Sequence, residues 1–338
     1  MQVNGTEIPR EVVRRSTNEV VLYGCFYLAS GSFNLLVNGG AAWLINRVES
    51  TRATPFAALT ASMATADCAT SALIALWAAP MTFWQERDWS TSAFGKRLGS
   101  VAMFMQAASL LNLLVIAANR AFAMAAPHRY RSTFDERNTQ WMIAVSWLCS
   151  TLCYAITLPD GCAFYYEPSL FLWGWERTRC GHWMAMYLDF GFTTSLALLV
   201  FGVNFVAVCF LRRGNRALTA QIRGAADANK AEALRRRRQE LNFLAMTSVN
   251  VLAWLVDMIF FHWVAYEMET TLTLFASTSF VWMLAISSNG VVTLLFLKEV
   301  RHAAFPCCRS GTSQRHDQPS VPMSAAPQSA WTGATSNK

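Results

Sequence analysis

Four charged side chains stand inside stretches that are otherwise apolar: Asp67, Arg120, Asp189 and Asp257. An ionised group in such surroundings must be paired, hydrated or bound to a ligand, because isolating it from water is costly. The chemistry open to these four is to hold, release or exchange partners. Bond-making chemistry finds no support, since the sequence carries no metal cluster, nucleophile triad or phosphate-cradling loop. The chain is read as a non-enzyme without an organic cofactor.

The elements that position these groups follow from composition. Hydrophobic residues make up 54% of the chain and charged residues 14%, too apolar a balance for an ordinary soluble chain of 338 residues. The apolar residues gather into seven runs, roughly Val20 to Ile45, Phe56 to Ala79, Ser100 to Met124, Thr139 to Leu158, Met184 to Phe210, Leu241 to Val264 and Leu272 to Leu297. About 20 residues at 1.5 Å each span about 30 Å of hydrocarbon. Only helices or closed barrels satisfy their backbone in lipid, and these runs are far too long for barrel strands. The fold class expected is an all-α membrane protein, a seven-transmembrane helix bundle.

Orientation is read from Lys and Arg. With the amino terminus outside and the carboxyl terminus inside, 20 of the chain's 28 basic residues fall on the cytoplasmic side. The first span alone votes the other way, with Arg10, Arg14 and Arg15 before it against Arg47 and Arg52 after it. The net charge of +7 then reads as attraction to the cytoplasmic leaflet of the lipid bilayer, and no nucleic-acid motif is present. Residues 1–19 are expected to form an extracellular terminus with a glycosylation sequon at Asn4 and no cleavable signal, residues 20–305 the seven-helix domain with a short eighth helix, and residues 306–338 a disordered cytoplasmic tail. The protein is expected at the plasma membrane as a multi-pass chain.

The third run closes on Ile116-Ala-Ala-Asn-Arg-Ala-Phe-Ala-Met-Ala-Ala-Pro-His-Arg-Tyr130. This resembles the end of helix three in rhodopsin-like G-protein-coupled receptors, with Asn119 where Asp is usual, Arg120 as the receptor arginine, and Pro127 and Tyr130 completing the pattern. The resemblance implies a switch in which Arg120 leaves an intramolecular lock, with Glu240 as its partner, to engage a G protein. A snorkelling positive-inside anchor is the alternative. Gly31-Ser-Phe-Asn34, Met63-Ala-Thr-Ala-Asp67, Ser109, Trp147 and Asn289-Gly290 resemble the signatures of the other helices. Asn34, Asp67, Ser109 and Asn289 would then converge at mid-membrane, either around a sodium ion and waters or as a protonated carboxyl bonded to its neighbours. Four features depart from the pattern: no cysteine heads the third span, the sixth has no proline near Trp254, Gly290 stands where proline is usual, and Ala121 replaces an aromatic.

These departures fit a divergent branch. The Asn-Arg ending of the third span, Cys162-Ala-Phe-Tyr-Tyr166 with Trp173 before Cys180, Leu188-Asp189-Phe190, the basic run before Glu240 and Phe243, and Trp282 ahead of Asn289-Gly290 resemble the nematode serpentine chemoreceptors of class x. The resemblance runs from about residue 20 to 305. It implies a chemosensory receptor whose partners are an extracellular small molecule or peptide, a heterotrimeric G protein α subunit and, on the same face, arrestin. A seven-helix ligand-gated channel subunit and a small transporter are the alternatives, although neither a filter run nor an internal repeat is seen.

Cys162 and Cys180 bracket 17 residues on the oxidising side. A disulfide closing that loop is expected, with two free thiols as the alternative. Cys307 and Cys308 follow a short amphipathic stretch and are candidates for palmitoylation, or stay unmodified. Ligand contacts are placed at Met103, Gln106, Asp189, Phe190, Asp257, Phe261, His262 and Ser279, with structural bonding of the two acids as the alternative reading. Ala102, where amine receptors place Asp, argues against a biogenic amine, and the absence of Lys from the seventh span excludes a retinal Schiff base.

Overall fold

The computed structural model describes residues 15–48, 54–222, 227–297, 300, 301 and 303. Asn4, Cys307, Cys308 and the tail from residue 306 lie outside the described residues, as does most of the expected eighth helix.

Seven of the described helices are long and apolar enough to cross a membrane: α1 (Thr17–Arg47), α2 (Pro55–Trp84), α3 (Ala93–Ala125), α4 (Glu136–Ile156), α5 (Arg179–Arg213), α6 (Glu240–Glu267) and α7 (Thr271–Phe296). Their starts are set by side-chain caps. Ser16 and Glu19 form a reciprocal capping box before α1, Thr54 caps α2 with Pro55 in its first turn, Ser92 caps α3 and Asp135 caps α4. Large apolar side chains such as Leu36, Leu76, Trp141, Leu148 and Phe205 point outward from the bundle. In water they would form adhesive patches, whereas hydrocarbon solvates them. Helical backbone continues from α5 to Ile222 and resumes at Asp227 ahead of α6, so most of the stretch between the fifth and sixth apolar runs is helical.

Helix α3 is the most enclosed and α4 the most peripheral. Helix α1 packs on α2 and α7, α2 on α3, α3 on α5, and α6 on α7. Gly290 explains one departure from the receptor pattern. A Cβ at this position would come within 2.7 Å of Asn38 Oδ1 and 2.8 Å of the Asn38 backbone nitrogen, so glycine is what lets α7 lie against α1.

Three spans contain wide π turns: Ile74–Ala78 in α2, Met184–Phe192 in α5 and Ala276–Phe280 in α7. The first precedes Pro80, which has no N–H to continue the ladder; the Ala79 N–H reaches back to the Ile74 carbonyl instead. The other two lie at one end of the bundle, where a π turn shifts the phase of every following side chain.

That end is roofed by a feature the all-helical reading did not include. Between α4 and α5, β1 (Phe164–Glu167) pairs antiparallel with β2 (Leu172–Trp175), with Phe164 opposite Trp175 and Glu167 opposite Leu172. Tyr166, Phe171 and Trp173 are buried beneath the hairpin. Tyr27 Oη donates to the Phe171 carbonyl at 2.7 Å, Thr82 Oγ1 and Tyr166 Oη share a hydrogen bond of 2.5 Å, and Ser90 Oγ donates to the Tyr166 carbonyl. Burial pushes the Tyr166 phenol well above its ordinary pKa, so it remains a hydroxyl that can hold this bond. Cys162 and Cys180 are joined in a disulfide, and Lys96 pairs with Glu176. Arg15 completes the clamp, with Nε on the Ser169 carbonyl at 2.7 Å and Nη1 on Thr271 Oγ1 at 3.0 Å.

Candidate functional site

Three polar clusters built from residues singled out in sequence lie along the bundle, and the two at its ends are joined by residues that sequence did not assign to them.

At the end opposite the hairpin, Arg120 is 7% exposed near the close of α3. Its Nη2 donates to Asn119 Oδ1 at 2.8 Å, and Asn119 Nδ2 donates to Tyr130 Oη at 3.2 Å. Pro127 opens the short helix Pro127–Thr133 that carries Tyr130, using the first-turn position where a missing N–H costs nothing. Glu240 faces Arg120, but Oε2 stands 3.8 Å from Nη1 and the carboxylate side chain is 29% exposed. Two aromatic rings lie closer. The guanidinium carbon sits 4.3 Å from the ring centre of Phe56 and 4.5 Å from that of Phe243, and the two rings are 4.5 Å from each other. Phe56 opens the second apolar run, and nothing in its spacing pointed to an arginine on another helix.

In the middle, Asn289 Nδ2 donates to Asp67 Oδ2 at 2.7 Å and lies 3.4 Å from Ser109 Oγ. All three are buried. Asn34 is not part of this group: its Nδ2 donates to the Met283 carbonyl at 3.0 Å, and Asn38 beside it donates to the Ile286 carbonyl. These two amides tie α1 to the backbone of α7. The oxygens of Asp67, Ser109 and Asn289 suit a hard cation such as sodium. As oriented, however, Asn289 presents its N–H to the carboxylate, and its buried Oδ1 has no hydrogen-bond partner.

Beneath the hairpin lies a small cavity, of about 20 Å³, lined by Met103 and Gln106 of α3, Asp189 of α5, Asp257, Met258 and Phe261 of α6, Thr278, Ser279 and Trp282 of α7, and Phe164 and Trp173 of the strands. Six of the eight predicted contacts are therefore brought together. Phe190 and His262 are not among the lining residues. They pack on each other with ring centres 5.1 Å apart, and His262 Nε2 stands 3.4 Å from Asp189 Oδ2, so they back the cavity wall. The two π turns supply Asp189, Thr278 and Ser279. Trp175 Nε1 donates to Asp189 Oδ2 at 3.2 Å and Trp282 Nε1 to Gln106 Oε1 at 3.0 Å. The sequence marks Phe164 and Trp173 only through the family resemblance, as parts of the loop between Cys162 and Cys180, and gives no such signal for Trp175. Across Met103 and Gln106 a second, smaller space of about 10 Å³ reaches Cys153, Leu188, Phe192 and Thr193.

An arrangement of this kind binds and relays. Among the described residues no group of three or more His, Cys, Asp or Glu is placed to hold a metal.

The comparisons with known proteins agree with this architecture. Residues 30–296 match the family described as "Serpentine type 7TM GPCR chemoreceptor Srx". A curated relative, Serpentine receptor class X 45 of Caenorhabditis elegans, is 21% identical over 254 residues, covering 70% of this chain and 69% of the relative. The crystal structure of squid rhodopsin superimposes with a TM-score of 0.70 over 91% of this chain and 94% of that chain, at 17% identity, which is a likeness of fold. With seven helices that can span a bilayer, a rhodopsin-like bundle and a family match across most of its length, this multi-pass membrane protein belongs to the Srx family of serpentine chemoreceptors.

Proposed function

We propose that this chain is a G-protein-coupled chemosensory receptor, with its amino terminus and hairpin outside the cell, that binds an extracellular small molecule in the roofed cavity and signals through Arg120 to a G protein α subunit. The observation that carries the reading is the state of Arg120: a nearly buried cation at the far end of the bundle, held by rings and a distant carboxylate that it can exchange for another partner. A small cavity under a disulfide-braced hairpin favours a small molecule over a peptide. Orientation is supported by the disulfide, which belongs on an oxidising side, and by Arg15, which places the start of α1 at that same end. The three Arg residues that argue against this topology by charge include one that has a structural task there. Asp67, Ser109 and Asn289 offer oxygens for a sodium ion once the Asn289 amide is turned; Asn34 is left out of that set.

The test is expression in cells carrying a promiscuous G protein, screened with chemical extracts, followed by Arg120→Ala in the responding line. The substitution is expected to abolish the response at unchanged surface level. A full response from the Arg120→Ala chain would remove the switch assigned to it.

A further inference from the structure

The two acids in the cavity are not equivalent. Asp189 accepts a hydrogen bond from the Trp175 indole at 3.2 Å and faces His262 Nε2, which makes no hydrogen bond, at 3.4 Å. Asp257 is 1% exposed, lines the cavity, and its Oδ1 makes no hydrogen bond. Lys and Arg are absent from the lining residues, while the rings of Phe164, Trp173, Phe261 and Trp282 form its walls. An unsatisfied carboxyl oxygen in a low-dielectric pocket calls for a donor, and two carboxyl groups among aromatic faces suit a donor that brings a positive charge with it.

From these contacts we infer that the cavity takes a compact organic cation, an alkylammonium or a molecule bearing one, with its N–H groups on Asp257, its charge shared with Asp189, and its carbon chain against the aromatic walls. This rests on the reading of the cavity as the ligand site. It also revises the expectation drawn from Ala102: the wall formed by α3 carries Met103 and Gln106, and the acidic partners enter from α5 and α6 instead. The small size of the cavity limits the ligand to a small one.

The test uses three probes of matched shape and different charge: 3-methylbutylammonium, 3-methylbutanol and 3-methylbutanoate. Each is titrated against the purified full-length protein in lipid nanodiscs while the thermal unfolding midpoint is followed. A ligand that binds only the folded state raises that midpoint in a saturable way. The ammonium is expected to raise it by several degrees, with the alcohol and the carboxylate inactive. Asp257→Asn is expected to weaken the apparent affinity at least tenfold, and Asp189→Asn less. A shift by the carboxylate or the alcohol equal to that of the ammonium, no shift by any probe, or an undiminished ammonium effect in Asp257→Asn overturns the inference. If Asp257→Asn does not fold, the three probes on the wild-type chain still decide. Binding is read here without a G protein, so an Asp257-dependent ammonium shift in a chain that activates no α subunit supports the site and removes the coupling. Activation by neutral or acidic molecules that persists in Asp257→Asn removes the cation and leaves the receptor.

Discussion

The restraint on Arg120 is predicted to come more from Phe243 and Phe56 than from Glu240. A guanidinium within about 6 Å of an aromatic face gains about 0.5–1 kcal/mol when exposed and about 2 when desolvated. Arg120 is 7% exposed and lies 4.3 and 4.5 Å from two ring centres, so each ring belongs near the upper value. The ion pair is long, at 3.8 Å, and the Glu240 side chain is 29% exposed; with Arg120 itself buried, the pair is placed at the top of the range for exposed pairs, about 1 kcal/mol. Phe243→Leu keeps most of the volume and removes the ring face, weakening the resting state by about 1–2 kcal/mol. At about 1.4 kcal/mol per factor of ten, the ratio of active to resting protein rises about 5- to 30-fold. If about 1% is active without ligand, basal signalling climbs to about 5–25% of maximum. Glu240→Gln should raise the ratio about fivefold at most. The assay is ligand-free G-protein activation at matched surface expression for Phe243→Leu, Phe56→Leu, Glu240→Gln and the Phe56/Phe243 pair. Because the two rings also touch each other, the pair should fall short of the sum of its parts. Basal activity that rises more in Glu240→Gln than in Phe243→Leu would refute the reasoning.

Further expectations concern the scaffold. Cys162→Ser opens a loop with a sequence separation of 18, whose closure is worth about 3 kcal/mol, and should lower surface expression and the unfolding midpoint as much as reductant does. Gly290→Ala drives a Cβ toward the α1 backbone and should cost about 1–3 kcal/mol, read as a lower midpoint; a neutral effect would show that α7 can withdraw from α1. Asn289→Leu strips Asp67 of the donor at 2.7 Å and should cost about 1.5–3 kcal/mol, most of it recovered when Asp67→Leu is added. Equal stability of the single and double variants would argue against that bond.

The seven spans were legible because bilayer thickness sets a length that apolar runs must meet, whatever their partners. The disulfide was legible too, as two cysteines on one loop. What sequence could not supply was mostly geometry between distant segments. Asn34 was assigned to Asp67 because a motif gives a helix face and not the acceptor its amide will choose; the acceptor is a backbone carbonyl of α7. Phe190 and His262 neighbour the two acids, which is why sequence offers them as ligand contacts, but Phe190 packs on His262 behind the wall while Asp189, in the π turn Met184–Phe192, lines the cavity. The hairpin was missed because its strands are four residues each, too short beside seven long apolar runs to stand out. Phe56 was missed because its partner is 64 positions away on another helix.

The central claim is that occupancy of the cavity under the hairpin changes what Arg120 does at the other end. Nucleotide exchange on a purified G protein α subunit, driven by the nanodisc-embedded chain and an activating extract fraction, tests it most directly when the wild type is set beside Ser279→Trp, which fills the cavity, and Arg120→Ala. Stimulated exchange in the wild type and none in either variant is the predicted result. Stimulation that survives in Ser279→Trp or in Arg120→Ala would contradict it.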